Sequence, residues 1–326
     1  MPSDIAFASA SGTWSAPPAQ VRAAITEPVY AVLDELGVIA ASGADAAAFL
    51  HAQLTNDVLH LDATAVQLNG YCTPKGRLLA VFDNWRDATS IYLQLPRELL
   101  APTVKRLSMF VLRQKVKLED ASQRWCCIGL VGPGAATLVA GVPADRGVRV
   151  ARLRPAARVA ERYLILAPRE GASEWLSKLA PARRVDSAAW WWTQIDAGIP
   201  NVFAATVEKF VPQMINLEVL GGVNFKKGCY PGQEVVARSQ YLGKLRRRMS
   251  VAHVEGETHA GADVFAAGSE QPVGTVVMAA TAPEGGMDLL FECPIDRLAD
   301  ALSVNGATGP KLTPRPLPYE LIDPTA

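Results

Sequence analysis

The five cysteines of this 326-residue chain, Cys72, Cys126, Cys127, Cys229 and Cys293, form no Cys-x-x-Cys pair, and their number is odd. That excludes a disulfide-stapled scaffold and fits a reducing compartment. Histidine is scarce, with four in the chain and none at ligand spacing from a cysteine, so a metal site has no support in the spacing. Neither sign of charge is in excess: 32 Lys and Arg stand against 32 Asp and Glu. That balance gives no global field to draw in nucleic acid or an acidic membrane, although a local basic patch is compatible with it. No apolar run approaches the length of a membrane span. The opening MPSDIAFASASGTWSAPPAQ has neither the basic nor the apolar segment of a signal peptide. These absences point to a cytoplasmic protein with no membrane partner.

Hydrophobic residues make up 49% of the chain, enough for large cores, and the length suits two or three domains. Residues 1–26 read as a disordered N-terminal tail, and 321–326 as a C-terminal one. From Glu27, VYAVLDELGVIAASG reads as two short strands, with Asp34, Glu35 and Gly37 at the turn between them. ADAAAFLHAQL has helical spacing through Ala47, Leu50 and Leu54. VQLNGYCT and RLLAVFDNW read as strands joined by the turn residues Pro74 and Gly76, SIYLQLP as a third strand, and RELLAPTVKRLSMFVL as a helix. VIAASGADAAAFL and IGLVGPGAATLV share a pattern of apolar strand, glycine, alanine and helix, a short repeat that points to a duplicated α+β core. RYLILAP is another strand. SAAWWWTQIDAGIP begins helical and stops at Gly198–Pro200. From Leu245 to Pro318 short apolar runs are punctuated by glycine and proline, which fits a small antiparallel β-barrel. The expected organisation is an α+β region over 27–243 and a barrel over 244–320.

The segment most specific to chemistry is NFKKGCYPGQEVVAR, residues 224–238. Pro231 suits a first helical position, with Gln233 and Glu234 in the first turn. Cys229 then precedes a helix N-terminus, and Lys226, Lys227 and Arg238 add positive charge, all of which favour thiolate. Gly228 permits close approach or a positive φ, and Gly232 permits close packing. Two readings of Cys229 stand level: a functional thiol, or a small hydrophobe packed in a turn. A metal site ranks below both. Among other candidates, KLRRRM (244–249) reads as a charged strand facing solvent, with phosphate or glutamate-tail binding as the alternative. Arg77 reads as a hairpin arginine on a wet face, and His51 as a surface or satisfied residue. Cys126 and Cys127 point to opposite faces of one strand. Trp190, Trp191 and Trp192 cannot all face one pocket of a helix, so one or two of them belong to the core. GGVNF lacks the spacing of a phosphate loop.

KKGCYPGQEVVAR resembles the signature of the YgfZ family of folate-binding proteins, relatives of the glycine cleavage T protein, an aminomethyltransferase. SGADAAAFLHAQLTNDV, CTPKGRL, AGIP, PQMINLEVLGGVNF and PLPYEL extend the resemblance over nearly the whole chain. The resemblance implies a T-protein-like three-domain ring, with two interwoven α+β units and a C-terminal barrel around a tetrahydrofolate site. It also implies a role for the motif Lys226, Lys227, Gly228, Cys229, Tyr230, Gly232, Gln233, Glu234 and Arg238, with Cys229 as its functional thiol. IDAG is similar to the T protein's pterin-binding stretch, which carries that role to Asp196, and Trp190 matches a tryptophan close to folate. Leu36 stands where some members have a tryptophan. Ala80 and Val81 fall at the T protein's paired aspartates and can neither ionise nor orient an amine. The resemblance therefore implies a folate-binding accessory protein without aminomethyltransferase activity, supporting iron–sulfur cluster assembly or repair and thereby tRNA modification. Its partners would be folate, iron–sulfur clients or assembly factors, and tRNA. Two alternatives remain open: a one-carbon transferase with a different acid or base, and an RNA-binding accessory module.

Overall fold

The computed structural model describes residues 12–142, 147–241 and 245–321. Order begins earlier than the expected tail allows. β1 (Thr13–Trp14) and α1 (Pro18–Thr26) precede Glu27. Two contacts hold them: Trp14 stacks on Trp191 with ring centroids 4.1 Å apart, and Val21, Ala23 and Ala24 are buried. Short Pro- and Ala-rich text hides a helix whose stability comes from packing.

The next stretch gives β2 (Val29–Val32), β3 (Leu36–Ser42), α2 (Ala46–Gln53), β4 (Gln67–Cys72), β5 (Leu78–Arg86), β6 (Ser90–Pro96), α3 (Leu100–Ser108) and β7 (Lys117–Asp120). β8 (Trp125–Val131), α4 (Ala135–Ala140), β9 (Arg149–Arg152), β10 (Arg162–Pro168), α5 (Ala172–Leu176), β11 (Arg183–Arg184) and α6 (Ser187–Asp196) follow. They build two five-stranded sheets, ordered β4-β5-β6-β3-β7 and β11-β2-β8-β10-β9. β2 and β3 are not a hairpin: β2 pairs with β8, Val29 opposite Val131, while β3 pairs with β6. Gly37 lies inside β3 rather than in the turn. The chain thus crosses between sheets, and the two α+β units are interwoven.

The short repeat corresponds to β3–α2 and β8–α4, one in each sheet. Its glycines do the same job twice. Gly43 has φ +109° and a Cβ there would meet Lys115 O at 2.1 Å; Gly132 has φ +102° and would meet Glu27 O at 2.2 Å. Only glycine fits a left-handed turn with backbone so close. Cys126 and Cys127 do point to opposite faces, and each joins a different hydrophobic cluster.

After α7 (Gln233–Tyr241) come β12 (Arg247–Val254), β13 (Asp263–Ala266), β14 (Gly274–Thr281), β15 (Met287–Pro294), β16 (Leu302–Val304) and β17 (Leu312–Arg315). They form one curled sheet in the order β16-β13-β14-β15-β12-β17, with β1 added parallel to β14. A bridge between Ser303 and Lys311 links its two ends, giving a half-barrel. Alternation along β15 splits its side chains: Leu289, Phe291 and Cys293 fill the half-barrel's own core, while Leu290 joins the main core. The expected boundary at residue 244 lies outside the described residues, as do tail residues 322–326.

Candidate functional site

α2 is followed by Leu54, Thr55 and Asn56, and these groups hold the chain that leads to the cysteine motif. Thr55 Oγ1 donates to Gly222 O at 2.6 Å, Asn56 Nδ2 donates to Gly221 O at 2.7 Å, and Asn224 N donates to Thr55 O at 2.9 Å. Lys227 then turns inward. Its Nζ donates to His51 O and to Leu54 O, the open carbonyls at the end of α2, which is favourable placement for a cation. Nζ also lies 5.0 Å from the centre of the Tyr230 ring. Burial drives the Lys227 ammonium down to about 8, against the pull of Asp57 and Cys229.

Cys229 itself is exposed, whereas Cys72, Cys126, Cys127 and Cys293 are buried. Burial pushes the Cys72 and Cys127 thiols up to about 12. Lys226, Glu234 and Arg238 are exposed, Gln233 is half-buried, and Tyr230 is buried with its hydroxyl unpartnered among the described residues. The helix begins at Gln233, two residues later than Pro231, because Gly232 takes φ +84°. A Cβ there would stand 2.4 Å from Thr73 O and 2.7 Å from Gly76 Cα. The motif loop therefore docks, glycine to glycine, on the Pro74–Gly76 hairpin. Gly228 does not need a positive φ; a Cβ would find His51 Nε2 at 3.6 Å. Lys227 donates to the His51 and Leu54 carbonyls and still acts electrostatically with Cys229, while the helix starts four residues after the cysteine.

A cavity of about 710 Å³ opens nearby, between the two α+β units. Leu68 and Asp83 line it from the first sheet, Arg152 from β9, and Gln194 from α6. His60 and Gly221 bring its wall to the α2 end and the motif approach. Asp83 is half-buried and accepts no hydrogen bond among the described residues. Burial pushes its carboxyl up to about 6, with the Arg162 guanidinium pulling the other way. Arg162 is fully buried, and burial lowers it to about 9 in spite of Asp196 and Asp83. Asp83 was not singled out in the sequence. Yet it stands one pleat beyond Val81, on the same strand face, so a carboxylate does occur beside the position that lacks one.

Trp190 and Asp196 are not on the cavity wall. Trp190 is buried under Gly129, where a Cβ would meet its ring at 2.2 Å, and Arg162 lies 5.6 Å above it. Asp196 is engaged elsewhere: Oδ2 accepts from Arg158 N at 2.7 Å and Oδ1 from Arg158 Nε at 3.0 Å. Arg158 also donates to Asp288 at 2.8 Å, and Arg315 stands 3.1 Å from the same carboxylate. The reason is helical phase. Gln194, one turn after Trp190, faces the cavity, whereas Asp196 is rotated toward the half-barrel. Arg162 donates to Gln194 and, at 3.1 Å, to Thr193 Oγ1, so Trp190 and Asp196 sit one layer behind the wall. Trp191 and Trp192 are core: Trp191 Nε1 donates to Glu35 at 2.5 Å and Trp192 Nε1 to Asp288 at 2.8 Å.

The basic run is a wet face only in part: Arg246 is exposed and Arg247 half-buried, while Lys244 lies outside the described residues. Arg248 is buried against Glu218, and Arg247 pairs with Glu292 at 2.7 Å. Arg77 remains exposed, donating to Lys209 O at 2.5 Å. Among the described residues no helix is long and apolar enough to cross a membrane.

No family model matches the sequence. The fold is similar to that of the glycine cleavage system aminomethyltransferase T from Bartonella henselae, with a TM-score of 0.75 at 15% identity, covering 92% of this chain and 89% of that one. In sequence the chain is 27% identical to the tRNA-modifying protein YgfZ of Vibrio vulnificus (strain CMCP6), over 92% of this chain and 95% of the relative. It is 30% identical to that of Yersinia pestis (strain Pestoides F), over 89% and 92%. Against that of Edwardsiella ictaluri (strain 93-146) identity reaches 33% over 88% of this chain and 91% of the relative. With a T-protein-like fold and full-length similarity at this level, the chain belongs to the family of the tRNA-modifying protein YgfZ.

Proposed function

We propose that this protein binds tetrahydrofolate or a derivative in the Asp83 cavity and acts in the cytoplasm as an accessory factor for iron–sulfur-dependent tRNA modification, with Cys229 as its working thiol. The reading extends to the arrangement: the two α+β units and the half-barrel form a three-domain ring around that cavity. One observation supports it above the others, a half-buried carboxyl that finds no hydrogen-bond partner among the described residues, in a cavity of about 710 Å³. The volume suits a drug-sized ligand. An ionised Asp83 can accept two parallel N–H bonds from a pterin edge. Leu61, Val66, Ile199 and Leu220 offer apolar wall for the rings, and the exposed Arg152 and Arg154 offer charge to an acidic tail. Trp190 and Asp196 contribute from behind, through Arg162 and Arg158.

Chemically, the bound folate would supply a one-carbon carrier. This chain's own residues would orient its ring through Asp83 and Gln194. Family relatives bear the words tRNA-modifying in their name, which is the ground for the tRNA link. A single motif cysteine cannot hold an iron–sulfur cluster alone, so iron–sulfur proteins enter as clients or assembly partners.

The test is titration of tetrahydrofolate by quenching of tryptophan emission. Asp83→Asn should weaken binding by about 1.5–3 kcal/mol, the contribution of a charged hydrogen-bonding partner. Unchanged affinity in that variant would remove this cavity as the site. A second reading is favoured by Asp83 as well: a one-carbon transferase with Asp83 as its base. Asp83-dependent turnover of a methylene donor would establish it, and absence of turnover leaves the binding role.

A further inference from the structure

A second, smaller cavity of about 280 Å³ lies between α3 and the β4–β5 hairpin. No residue lines both it and the Asp83 cavity. Tyr71 reaches it from β4, Leu79 from β5 and Val207 from the loop after α6. Pro102 and Arg106 stand about one turn apart on α3, on one face of the helix. Pro102 falls in the first turn, where its missing N–H costs no helical bond, so its ring can serve as wall. Leu99 and Met109 extend the apolar lining. Among the described residues no acidic side chain lines this cavity.

The polar side chains on its wall are all able to donate: the Tyr71 and Thr103 hydroxyls, the Arg106 guanidinium and the ammonium of the exposed Lys105. What they lack is an acceptor. Tyr71 is 1% exposed, and its Oη makes no hydrogen bond among the described residues. Arg106 Nε is buried and equally unpartnered among them. Burial holds the Tyr71 hydroxyl above its ordinary range, with the Arg106 guanidinium pulling the other way. The hydroxyl therefore keeps its proton at neutral pH and remains a donor. Buried donors without an acceptor are destabilising, and one anionic group between them would satisfy both.

We propose that this cavity is a second ligand site, for a small organic carboxylate with an apolar body. Arg106 and Tyr71 hold the carboxylate, and Leu79, Leu99, Pro102 and Val207 face the body. A guanidinium can give a carboxylate two parallel N–H bonds, and the phenol O–H adds a third. The volume falls just under the range of drug-sized sites, which limits the body to about one ring. Apolar wall with a few convergent polar groups is the usual make-up of a small-molecule site. The proposal does not depend on folate binding or on the role of Cys229.

Titration of the full-length protein with benzoate at neutral pH tests this, read by saturation-transfer NMR, with the neutral isostere benzamide as comparison. Benzoate should bind with a Kd on the order of 0.1–1 mM, as suits a fragment of its size, and benzamide about tenfold more weakly. Arg106→Gln should weaken benzoate about tenfold. Tyr71→Phe, which removes the hydroxyl and keeps the ring, should weaken it about threefold and melt no earlier than the parent, because no hydrogen bond is lost. Should Arg106→Gln fail to fold, Tyr71→Phe carries the test alone. Absence of benzoate binding, equal binding of benzamide, or unchanged affinity in the variants would overturn the proposal. So would an earlier melt of Tyr71→Phe, which would give the hydroxyl a structural bond instead. Asp83→Asn should leave benzoate affinity as it is; a change there with none in the Tyr71 and Arg106 variants would put benzoate in the other cavity and overturn the assignment. The measurement involves no folate, so its failure is distinguishable from failure of the folate-binding role.

Discussion

On Asp83 a stability profile and the proposed binding profile both rest. Unfolded, its carboxyl ionises near 3.8; folded, burial moves it to about 6. Between those values folding takes up a proton, so stability falls as pH rises across that window and stays lower above it. Asp83→Asn removes the buried charge. It is expected to raise stability by about 1–2 kcal/mol at neutral pH and by nearly nothing near pH 4, a discount from the full shift because the group is half-buried. Urea denaturation at the two pH values checks this, and a gain that persists unchanged at the acid end would contradict it. Folate binding should move the opposite way, weakening as pH drops below about 6. At Cys229, exposure separates function from packing. Cys229→Ser should keep the melting temperature of the parent and lose complementation in a tRNA-thiolation assay. Full complementation would leave the thiol without a role.

At the scale of elements, two joints hold the site. The first is glycine on glycine, where the Gly232 turn seats α7 on the β4–β5 hairpin. Gly232→Ala would impose a left-handed backbone on alanine and a Cβ 2.4 Å from Thr73 O. A loss of about 1–3 kcal/mol is expected, with earlier proteolysis near residue 230 as the local sign. The second joint is ionic. Asp196 on α6 and Asp288 on β15, each with a side chain 1% exposed, share Arg158 and Arg315. His253 Nδ1 adds a contact to Asp288 at 2.9 Å. Asp288→Ala would leave the Trp192 N–H without its acceptor and would take from Arg158 and Arg315 one of the two buried carboxylates they share. Removing one partner of a buried pair costs about 3–5 kcal/mol; both arginines are partly exposed, so the lower end is expected in chemical denaturation. No measurable loss would show that water replaces the carboxylate.

Across the whole molecule, fragments far apart in sequence meet at shared nodes. Asn216, from PQMINLEV, donates to Met249 O at 3.0 Å and to Tyr319 Oη at 3.3 Å. Tyr319, from PLPYEL, donates to Gly198 O of AGIP at 2.7 Å. One hydrogen-bonded node therefore joins α6, the half-barrel and the C-terminal segment. Local pattern was enough to mark what depends on neighbours in sequence. Strand and helix identities followed from periodicity, the repeat from its glycines, and the motif from its own residues. Alternation alone placed Cys126 and Cys127 on opposite faces. Pairing partners, helix phase against a second body, and the use of each charge depend on residues 30 to 176 positions away. For that reason β2 went to the second sheet, Asp196 to Arg158, Lys227 to the end of α2, and Arg248 to Glu218. Asp83 became visible only when folding placed it on the cavity wall, because nothing in its spacing distinguishes it from a surface carboxylate.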